Sequence, residues 1–386
     1  NASTLLTYVE HKQETAADGS QHTVITLQDK VYGTQVRLHF SAYADEDVIK
    51  THTEIVNGEK KPVMLEKYAS SMLHLTGGKY WLTEFSGNWA DEGHMSTAPL
   101  NFGKKVLDTK LGTRANLFTP PMFILSVGEQ ATEDHGQVML GQLGWTGNFR
   151  FTFEVDESDN LRLISGINPY FSSYELGAKE TFTTPEFFFT MSYEGLSRAS
   201  RNLHNWARKY QLKDGQKGRL TLLNNWEATF FHFNRRKLLA LARRAKGLGV
   251  EMFVLDDGWF GKRNNDRAGL GDWVVNATKL EGGLKRLAES INELGMKFGL
   301  WIAPEVVGKD NHRMLEYYGD ECFLTRNGKK ICNSTGYLLD FRHPKVIDYM
   351  TCAFDRMVNE YGVDYIKYDG CSSTGPGPDR GTSPGD

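Results

Sequence analysis

Val254-Leu255-Asp256-Asp257-Gly258-Trp259 is the stretch that decides the fold of this chain, because an apolar run ends there in two carboxylates and an aromatic ring. Two later stretches end in the same way, Gly299-Leu300-Trp301-Ile302-Ala303-Pro304-Glu305 and Asp364-Tyr365-Ile366-Lys367-Tyr368-Asp369. A helical pattern separates each stretch from the next. Enzymes built on (β/α)8 barrels place their active groups at the carboxyl ends of parallel strands. We therefore predict that these polar side chains converge at one end of a parallel sheet.

The types of residue at these strand ends indicate sugar chemistry. Paired carboxylates, a lysine and several tryptophans would meet there. Carboxylate pairs catalyse the cleavage of glycosidic bonds, and aromatic rings offer both an apolar face and, in tryptophan, an N–H donor. The sequence therefore predicts a carbohydrate-active enzyme.

The first half of the chain has the pattern of a β-sandwich. Residues 36–42 and 149–155 alternate between apolar and polar side chains, which is typical of half-buried strands. We predict a β-sandwich domain over residues 1–190 and a helical linker over residues 191–219.

From Leu220 onward, strand and helix patterns alternate, and this alternation predicts a parallel sheet with right-handed crossovers. Four strands can be counted, so residues 220–386 are predicted to form the amino-terminal half of a catalytic (β/α)8 barrel. Half a barrel would leave an exposed sheet edge. We expect the working protein to continue beyond this chain.

The composition argues against several classes of partner. The 386 residues carry a formal net charge of −3, so no global field favours nucleic acid, and no apolar stretch approaches the roughly 20 residues that span a bilayer. The four cysteines lack C-x-x-C spacing, so we predict free thiols, no metal and no cofactor; a Cys322–Cys332 bridge stays open. The compartment is not settled, and a secreted or periplasmic location is favoured over a cytoplasmic one.

Several motifs, in order and at barrel spacing, carry a family resemblance. The chain resembles glycoside hydrolase family 36, the retaining α-galactosidases and α-N-acetylgalactosaminidases. The motifs are Leu222-Leu223-Asn224-Asn225-Trp226-Glu227-Ala228-Thr229, Phe253-Val254-Leu255-Asp256-Asp257-Gly258-Trp259-Phe260-Gly261-Lys262-Arg263, Leu270-Gly271-Asp272-Trp273 and Gly295-Met296-Lys297-Phe298-Gly299-Leu300-Trp301, with softer matches at Gly87-Asn88-Trp89 and Gly144-Trp145-Thr146-Gly147-Asn148-Phe149. The resemblance implies a β-sandwich before the barrel, a glycan substrate and a homo-oligomer. It also implies that residues are missing at the front.

The resemblance assigns Asp369 as the nucleophile that forms a covalent glycosyl-enzyme intermediate. Lys367, two residues earlier, points to the same side of the strand, so a structural ion pair is the alternative interpretation. Asp256 and Asp257 match the pair that accepts hydrogen bonds from the 4- and 6-hydroxyls of the sugar. The alternative for this pair is an ordinary Asp-Asp-Gly turn.

The resemblance also assigns aromatic residues to the sugar subsite, with core packing as the alternative in each case. Trp226 and Trp301 match aromatics that line the subsite, and Lys367 is counted among the substrate-binding residues. Further candidates for the site are Trp259, Trp273, Cys371 and Arg342. Glu305 is expected to support the site and not to react.

Two departures from the family pattern leave the exact sugar open. Gly370-Cys371-Ser372 stands where the family usually has Met-Asn-Arg, and Tyr368 stands in place of a tryptophan. Ser334 lies near the position of a sugar-binding arginine, for which Arg342 and Lys330 are candidate substitutes.

The general acid/base has no match in this chain. In the family it is an aspartate on a later strand. Three functions therefore stay open: hydrolysis of terminal α-linked galactose with retention, the corresponding reaction on N-acetylgalactosamine or a galactosyl transfer, and, for the chain alone, an inactive sugar-binding fragment.

Overall fold

The computed structural model describes residues 4–112, 118–170 and 172–370. The chain divides into two compact units, with the boundary between Lys217 and Gly218.

The first unit consists mainly of antiparallel strands and contains one long helix. Its strands are β1 (Leu6–Thr15), β2 (Gln21–Asp29), β3 (Gln35–Tyr43), β4 (Val48–Val56), β5 (Val63–Leu65), β6 (Ser71–Leu75), β7 (Tyr80–Asn88), β8 (Asp91–Leu100), β9 (Gly103–Asp108), β10 (Met122–Val127), β11 (Gln137–Leu143), β12 (Phe149–Val155), β13 (Leu161–Ile167), β14 (Tyr174–Leu176), β15 (Thr181–Thr183) and β16 (Phe187–Ser192). The helix α1 (Gly195–Trp206) follows them, and short 3₁₀ and π turns occur at Ala44–Glu46 and Ala207–Gln211.

Two sheets form the sandwich that the alternating pattern predicts. The larger sheet has the order β1-β2-β3-β4-β16-β11-β10-β7-β8, with β15 paired to β4, and the smaller sheet has the order β6-β13-β12-β9. Phe123 of β10 packs edge-on against Phe151 and Phe153 of β12, with ring centroids 5.1 and 5.0 Å apart. All three rings are fully buried. The prediction of a β-sandwich is confirmed.

The helix that was predicted as a linker packs against the larger sheet. Trp206 of α1 is buried and contacts Tyr43 of β3 and Phe188 of β16, with ring centroids 5.7 and 4.9 Å apart. Burial of a side chain of this size contributes a few kcal/mol. In the structure, α1 therefore belongs to the first compact unit.

The second unit alternates strands and helices. Its strands are β17 (Leu222–Asn224), β18 (Met252–Leu255), β19 (Lys297–Ile302), β20 (Val306–Gly308), β21 (Thr325–Arg326), β22 (Lys329–Lys330), β23 (Gly336–Leu338) and β24 (Tyr365–Tyr368). Its helices are α2 (Trp226–Thr229), α3 (Arg235–Gly247), α4 (Gly283–Asn292), α5 (His312–Tyr318) and α6 (Pro344–Asp355), with a 3₁₀ turn at Asp320–Cys322 and a π turn at Arg356–Glu360.

Four of these strands form a parallel sheet in chain order, β17-β18-β19-β24. Every residue of β18 is buried, as expected for a strand that is covered on both faces. Asn234 caps α3 by accepting a hydrogen bond from the backbone N–H of Lys237 at 3.0 Å. The four strands and their helices confirm the prediction of the first half of a (β/α)8 barrel. No helix in the described ranges is long and apolar enough to cross a membrane.

The helix α4 shows why this sheet is covered. Leu284, Leu287, Ala288 and Ile291 recur at helical spacing on one face of α4, and all four are buried. They join the hydrophobic core that also contains the strand residues of the sheet. The apolar stripe that was visible in the sequence therefore holds the helix against the strands.

Candidate active site

The carboxyl ends of the parallel strands bring most of the predicted site residues together. Asp256 directly follows β18, and Asp369 directly follows β24. Trp301 of β19 lies opposite Lys367 of β24 in the strand register. Because all strands of this sheet run in one direction, these side chains lie at the same edge.

Asp256 is a buried carboxylate with two side-chain donors. Its Oδ2 accepts a hydrogen bond from Lys367 Nζ at 2.7 Å and another from the side-chain amide of Asn224. The backbone N–H of Asp256 donates to Asn225 Oδ1 at 2.7 Å. The Asp256 side chain is 4% exposed and the Lys367 side chain 38% exposed, so Lys367 neutralises the carboxylate from the solvent side.

Asp257 forms a second ion pair, with a different partner. Arg263 Nε donates to both oxygens of Asp257 at 3.0 and 3.1 Å, and its Nη2 donates to Oδ2 at 2.7 Å. Both side chains are almost completely buried. Burial raises the pKa of Asp257, and the hydrogen bonds and charge of Arg263 oppose that rise. The buried Asp257 carboxylate therefore depends on the charge and the hydrogen bonds of Arg263.

Lys279 binds the backbone of the loop that joins Asp257 to Arg263. Its Nζ donates to the carbonyl oxygens of Gly258 and Arg263, both at 2.9 Å. It lies 4.9 Å from the centre of the Phe233 ring. Burial lowers the pKa of Lys279, and the charge of Asp257 opposes that shift. Two cations thus hold the backbone that carries Asp257.

Asp369 is exposed and is held by an indole. Its Oδ2 accepts a hydrogen bond from Trp301 Nε1 at 2.9 Å, and its backbone N–H donates to the carbonyl of Ile302 at 2.9 Å. Trp301 itself is 4% exposed. One carboxylate oxygen is therefore fixed by a rigid side chain while the residue stays accessible.

Trp259 and Trp273, which were further candidates for the site with core packing as the alternative, pack in the core. Both rings are fully buried, and they cluster with Phe260 and Trp301 at centroid distances of 4.6 to 6.4 Å. Trp259 Nε1 donates to the carbonyl of Trp301 at 2.8 Å. Trp259 thus contacts Trp301 through this hydrogen bond, and Trp273 contacts it through ring packing.

Trp226 is half-buried at the start of α2. Its ring makes edge-to-face contacts with Phe230 and Phe231, at centroid distances of 5.3 and 5.0 Å. The backbone N–H of Trp226 donates a hydrogen bond to the side-chain oxygen of Asn224 at 2.8 Å. Asn224 therefore links Trp226 to Asp256.

Arg342 and Glu305 each have a described hydrogen-bond partner. Arg342 donates to both oxygens of Asp340 at 2.8 Å, and this contact lowers the pKa of Asp340. The carboxylate of Glu305 accepts a hydrogen bond from the Tyr368 hydroxyl at 2.5 Å. Cys371 lies outside the described residues.

The sequence reasoning missed two donors to the carboxylates, Asn224 and Arg263. It also missed Asn225, which accepts a hydrogen bond from the backbone N–H of Asp256. A signal was present, because a buried carboxylate requires a cation or several donors. Arg263 follows Asp257 by only six residues, within a motif that had already been noted.

The sequence analysis, which predicted no metal, did not identify one group of possible metal ligands. Within the described ranges, the fold brings His39, His52 and Glu54 together in the first unit, with their donor atoms within 4.8 Å of one another. Strand pairing places His39 opposite His52, and Glu54 follows His52 by two residues on the same face of the sheet.

Comparisons with known proteins agree with this geometry. The family model described as the glycosyl hydrolase family 36 N-terminal domain matches residues 1–177, and the model described as Melibiase matches residues 181–375. The chain is 34% identical to the α-galactosidase AgaA of Geobacillus stearothermophilus over 366 residues, which is 94% of this chain and 49% of that protein.

Solved structures show the same similarity. The α-galactosidase of Lactobacillus brevis matches with a TM-score of 0.89 and 31% identity, over 95% of this chain and 51% of that chain. A variant of AgaA in complex with raffinose matches with a TM-score of 0.89 and 30% identity, over 95% of this chain and 53% of that chain. The chain thus spans about half the length of the relatives it matches.

Proposed function

The chain belongs to glycoside hydrolase family 36, and we propose that the whole protein hydrolyses terminal, non-reducing α-linked galactose with retention of configuration. The observation that carries the proposal is Asp369, an accessible carboxylate at a strand end with one oxygen held by Trp301 at 2.9 Å. Relatives that are curated as α-galactosidases, and a related structure that holds raffinose, support the sugar class.

The proposed reaction proceeds in two displacements. The free oxygen of Asp369 attacks the anomeric carbon while the glycosidic C–O bond breaks and the departing oxygen takes a proton from a carboxylic acid. A water molecule then attacks the same carbon, gives its proton to that second carboxylate and releases Asp369. We expect the second carboxylate on a later strand, beyond this chain.

The buried carboxylates are proposed to bind the sugar and not to react. Asp256 and Asp257 are acceptors whose charges are already balanced by Lys367 and Arg263. Each carboxylate oxygen has more than one acceptor site, so a sugar hydroxyl can bind beside the cation. A site built in this way rejects an epimer that leaves an acceptor unpaired.

Substitution of Asp369 in the whole protein tests this proposal. Asp369→Ala should lower turnover of an α-galactoside by several orders of magnitude, because the covalent step is lost. Azide, added to this variant, should fill the vacated space and yield the β-galactosyl azide. Asp364→Asn is the matched control, because Asp364 precedes the same strand and binds Lys297. Wild-type turnover in Asp369→Ala would refute the proposal.

A second candidate is the reaction on α-linked N-acetylgalactosamine, or a galactosyl transfer. The segment Gly370-Cys371-Ser372, which departs from the usual family pattern, motivates it. The ratio of kcat/KM for matched galactoside and N-acetylgalactosaminide substrates decides between the two sugars. A preference for the galactoside of about a hundredfold or more eliminates the N-acetylgalactosaminidase. Transfer is measured with a second sugar as acceptor.

We propose a secreted or periplasmic location and a homo-oligomer.

A further inference from the structure

Three histidines form a stacked column on the larger sheet of the first unit. His22 of β2, His39 of β3 and His52 of β4 stack with ring centroids 5.3 and 4.3 Å apart. His39 lies directly opposite His52 in the strand register. Glu54 follows His52 by two residues, so its side chain is on the same face of the sheet. The fold thus places two imidazoles and a carboxylate side by side.

The Nε2 atom of His39 is the unusual feature of this group. It is buried and has no hydrogen-bond partner within the described ranges, which is costly for a polar atom. It lies 3.4 Å from Glu54 Oε2. Zn²⁺ binds imidazole nitrogen at about 2.0–2.1 Å and carboxylate oxygen at about 2.0–2.2 Å. Two such bonds at a tetrahedral angle separate the donor atoms by about 3.4 Å.

His52 supplies a third donor atom. The donor atoms of His39, His52 and Glu54 all lie within 4.8 Å of one another. Zinc ligands lie about 3.4 Å apart, so side-chain rotations within this group would bring the three donor atoms to the separations that zinc requires. All three residues are half-buried, so water can reach the remaining coordination position.

His22 sets the orientation of His39. The Nε2 atom of His22 lies 3.2 Å from Nδ1 of His39. When Nδ1–H of His39 donates to this nitrogen, Nε2 of His39 carries the lone pair that a metal needs. Metal-binding histidines are commonly held in this way by an acceptor on their other nitrogen.

The neighbouring cations lie beside carboxylates, and one of these carboxylates is the proposed ligand Glu54. Arg37 Nη1 lies 3.3 Å from Glu54 Oε2, and Lys50 Nζ lies 2.7 Å from a carboxylate oxygen of Glu186. Glu54 has a second oxygen and further lone pairs for a metal.

We infer that His39, His52 and Glu54 form a binding site for one divalent transition-metal ion, of which Zn²⁺ fits the donor set. Two imidazoles and a carboxylate with an open fourth position are a known zinc ligand set. The ion would link the adjacent strands β3 and β4, and through His22 it would stiffen β2. The site is separate from the residues proposed for glycoside hydrolysis.

Titration with Zn²⁺ tests this inference on the whole protein, after treatment with a chelator and alkylation of its cysteines. Calorimetry should show one equivalent of Zn²⁺ that is lost in His39→Ala, His52→Ala and Glu54→Gln, with affinity falling at least about a hundredfold in each. His22→Ala should lower affinity by about 10- to 100-fold, as for the partner of a metal ligand. His94→Ala is the matched control, because His94 pairs with Asp91 on the surface, and it should bind as the wild type does.

Equal zinc affinity in the wild type and in the three ligand variants would overturn the inference, as would the absence of saturable binding. Circular dichroism shows whether each variant is folded. If a variant does not fold, anomalous diffraction at the zinc edge from wild-type crystals replaces it. A peak between His39, His52 and Glu54 supports the site, and a flat map at that position refutes it.

Discussion

The hydrogen bond from Trp301 to Asp369 offers a direct test of how the candidate nucleophile is positioned. Trp301→Phe removes the indole N–H that lies 2.9 Å from Asp369 Oδ2. The phenyl ring retains an aromatic face next to Phe260, whose ring is nearly parallel to that of Trp301 at 6.2 Å. The substitution therefore removes the donor while it keeps most of the packing.

The magnitude follows from the charge and the exposure of the acceptor. A hydrogen bond to a charged group contributes about 1.5–3 kcal/mol, which corresponds to a change in kcat/KM of about 10- to 150-fold. Asp369 is exposed, so water can replace the lost donor, but water does not fix the direction of the attacking oxygen. We expect a decrease near the lower limit, about tenfold.

The assay is the hydrolysis of an α-galactoside by the whole protein, with kcat/KM as the readout and a melting curve as the check of folding. Trp145→Phe is the matched control, because its indole N–H is buried and has no hydrogen-bond partner within the described ranges. This control should retain its activity. An unchanged kcat/KM in a folded Trp301→Phe variant would refute the positioning role.

The remaining predictions concern the two buried ion pairs and the chain alone. Arg263→Met should lower the free energy of unfolding in a denaturation assay by about 3–5 kcal/mol, because it leaves the Asp257 carboxylate buried and unpaired. Arg313→Met is the control: it removes the largely exposed partner of Asp272 and should lower the same free energy by less than about 1 kcal/mol. Because burial raises the pKa of Asp257, the stability lost in Arg263→Met relative to the wild type should be smallest at acid pH, and it should grow as the pH rises from the unfolded-state pKa to the folded-state pKa of this carboxyl group. Lys367→Met should raise KM by about tenfold in steady-state kinetics, because Asp256 loses its cation. The 386-residue chain expressed alone should show neither a cooperative melting transition nor hydrolysis; family-like turnover would direct attention to Glu305 and Asp272 as acid/base.

The strands and helices of both units could be predicted because their hydrophobic periods are regular. Alternation over Phe149–Val155 corresponds to alternating burial in the structure, and the helical spacing from Leu284 to Ile291 corresponds to the buried face of α4. Strand ends could be predicted as well, because apolar runs stop at polar residues. Each of these patterns involves residues that are close together along the chain, so it can be recognised in a single sequence.

Contacts between distant segments could not be predicted in the same way. The column of His22, His39 and His52 depends on the pairing register of three strands, and a shift of one residue would point the side chains to the opposite face. The burial of Trp259 and Trp273 depends on how the loops after β18 fold over β19. A sequence indicates that these rings are aromatic, but only the packing shows that they lie behind Trp301.

The adjacent carboxylates Asp256 and Asp257 show how such distant contacts make a local motif workable. Two unit charges roughly 5 Å apart repel by about 3 kcal/mol at an effective dielectric constant of about 20, and both side chains are buried. The structure resolves the conflict with separate cations, Lys367 from β24 for Asp256 and Arg263 from the following loop for Asp257. Gly258, with a φ of +99°, allows the backbone turn that carries the chain from the strand toward that loop. Each carboxylate thus has a cationic partner of its own and keeps acceptor sites for a further hydrogen bond, which is the property that recognition of a sugar hydroxyl requires.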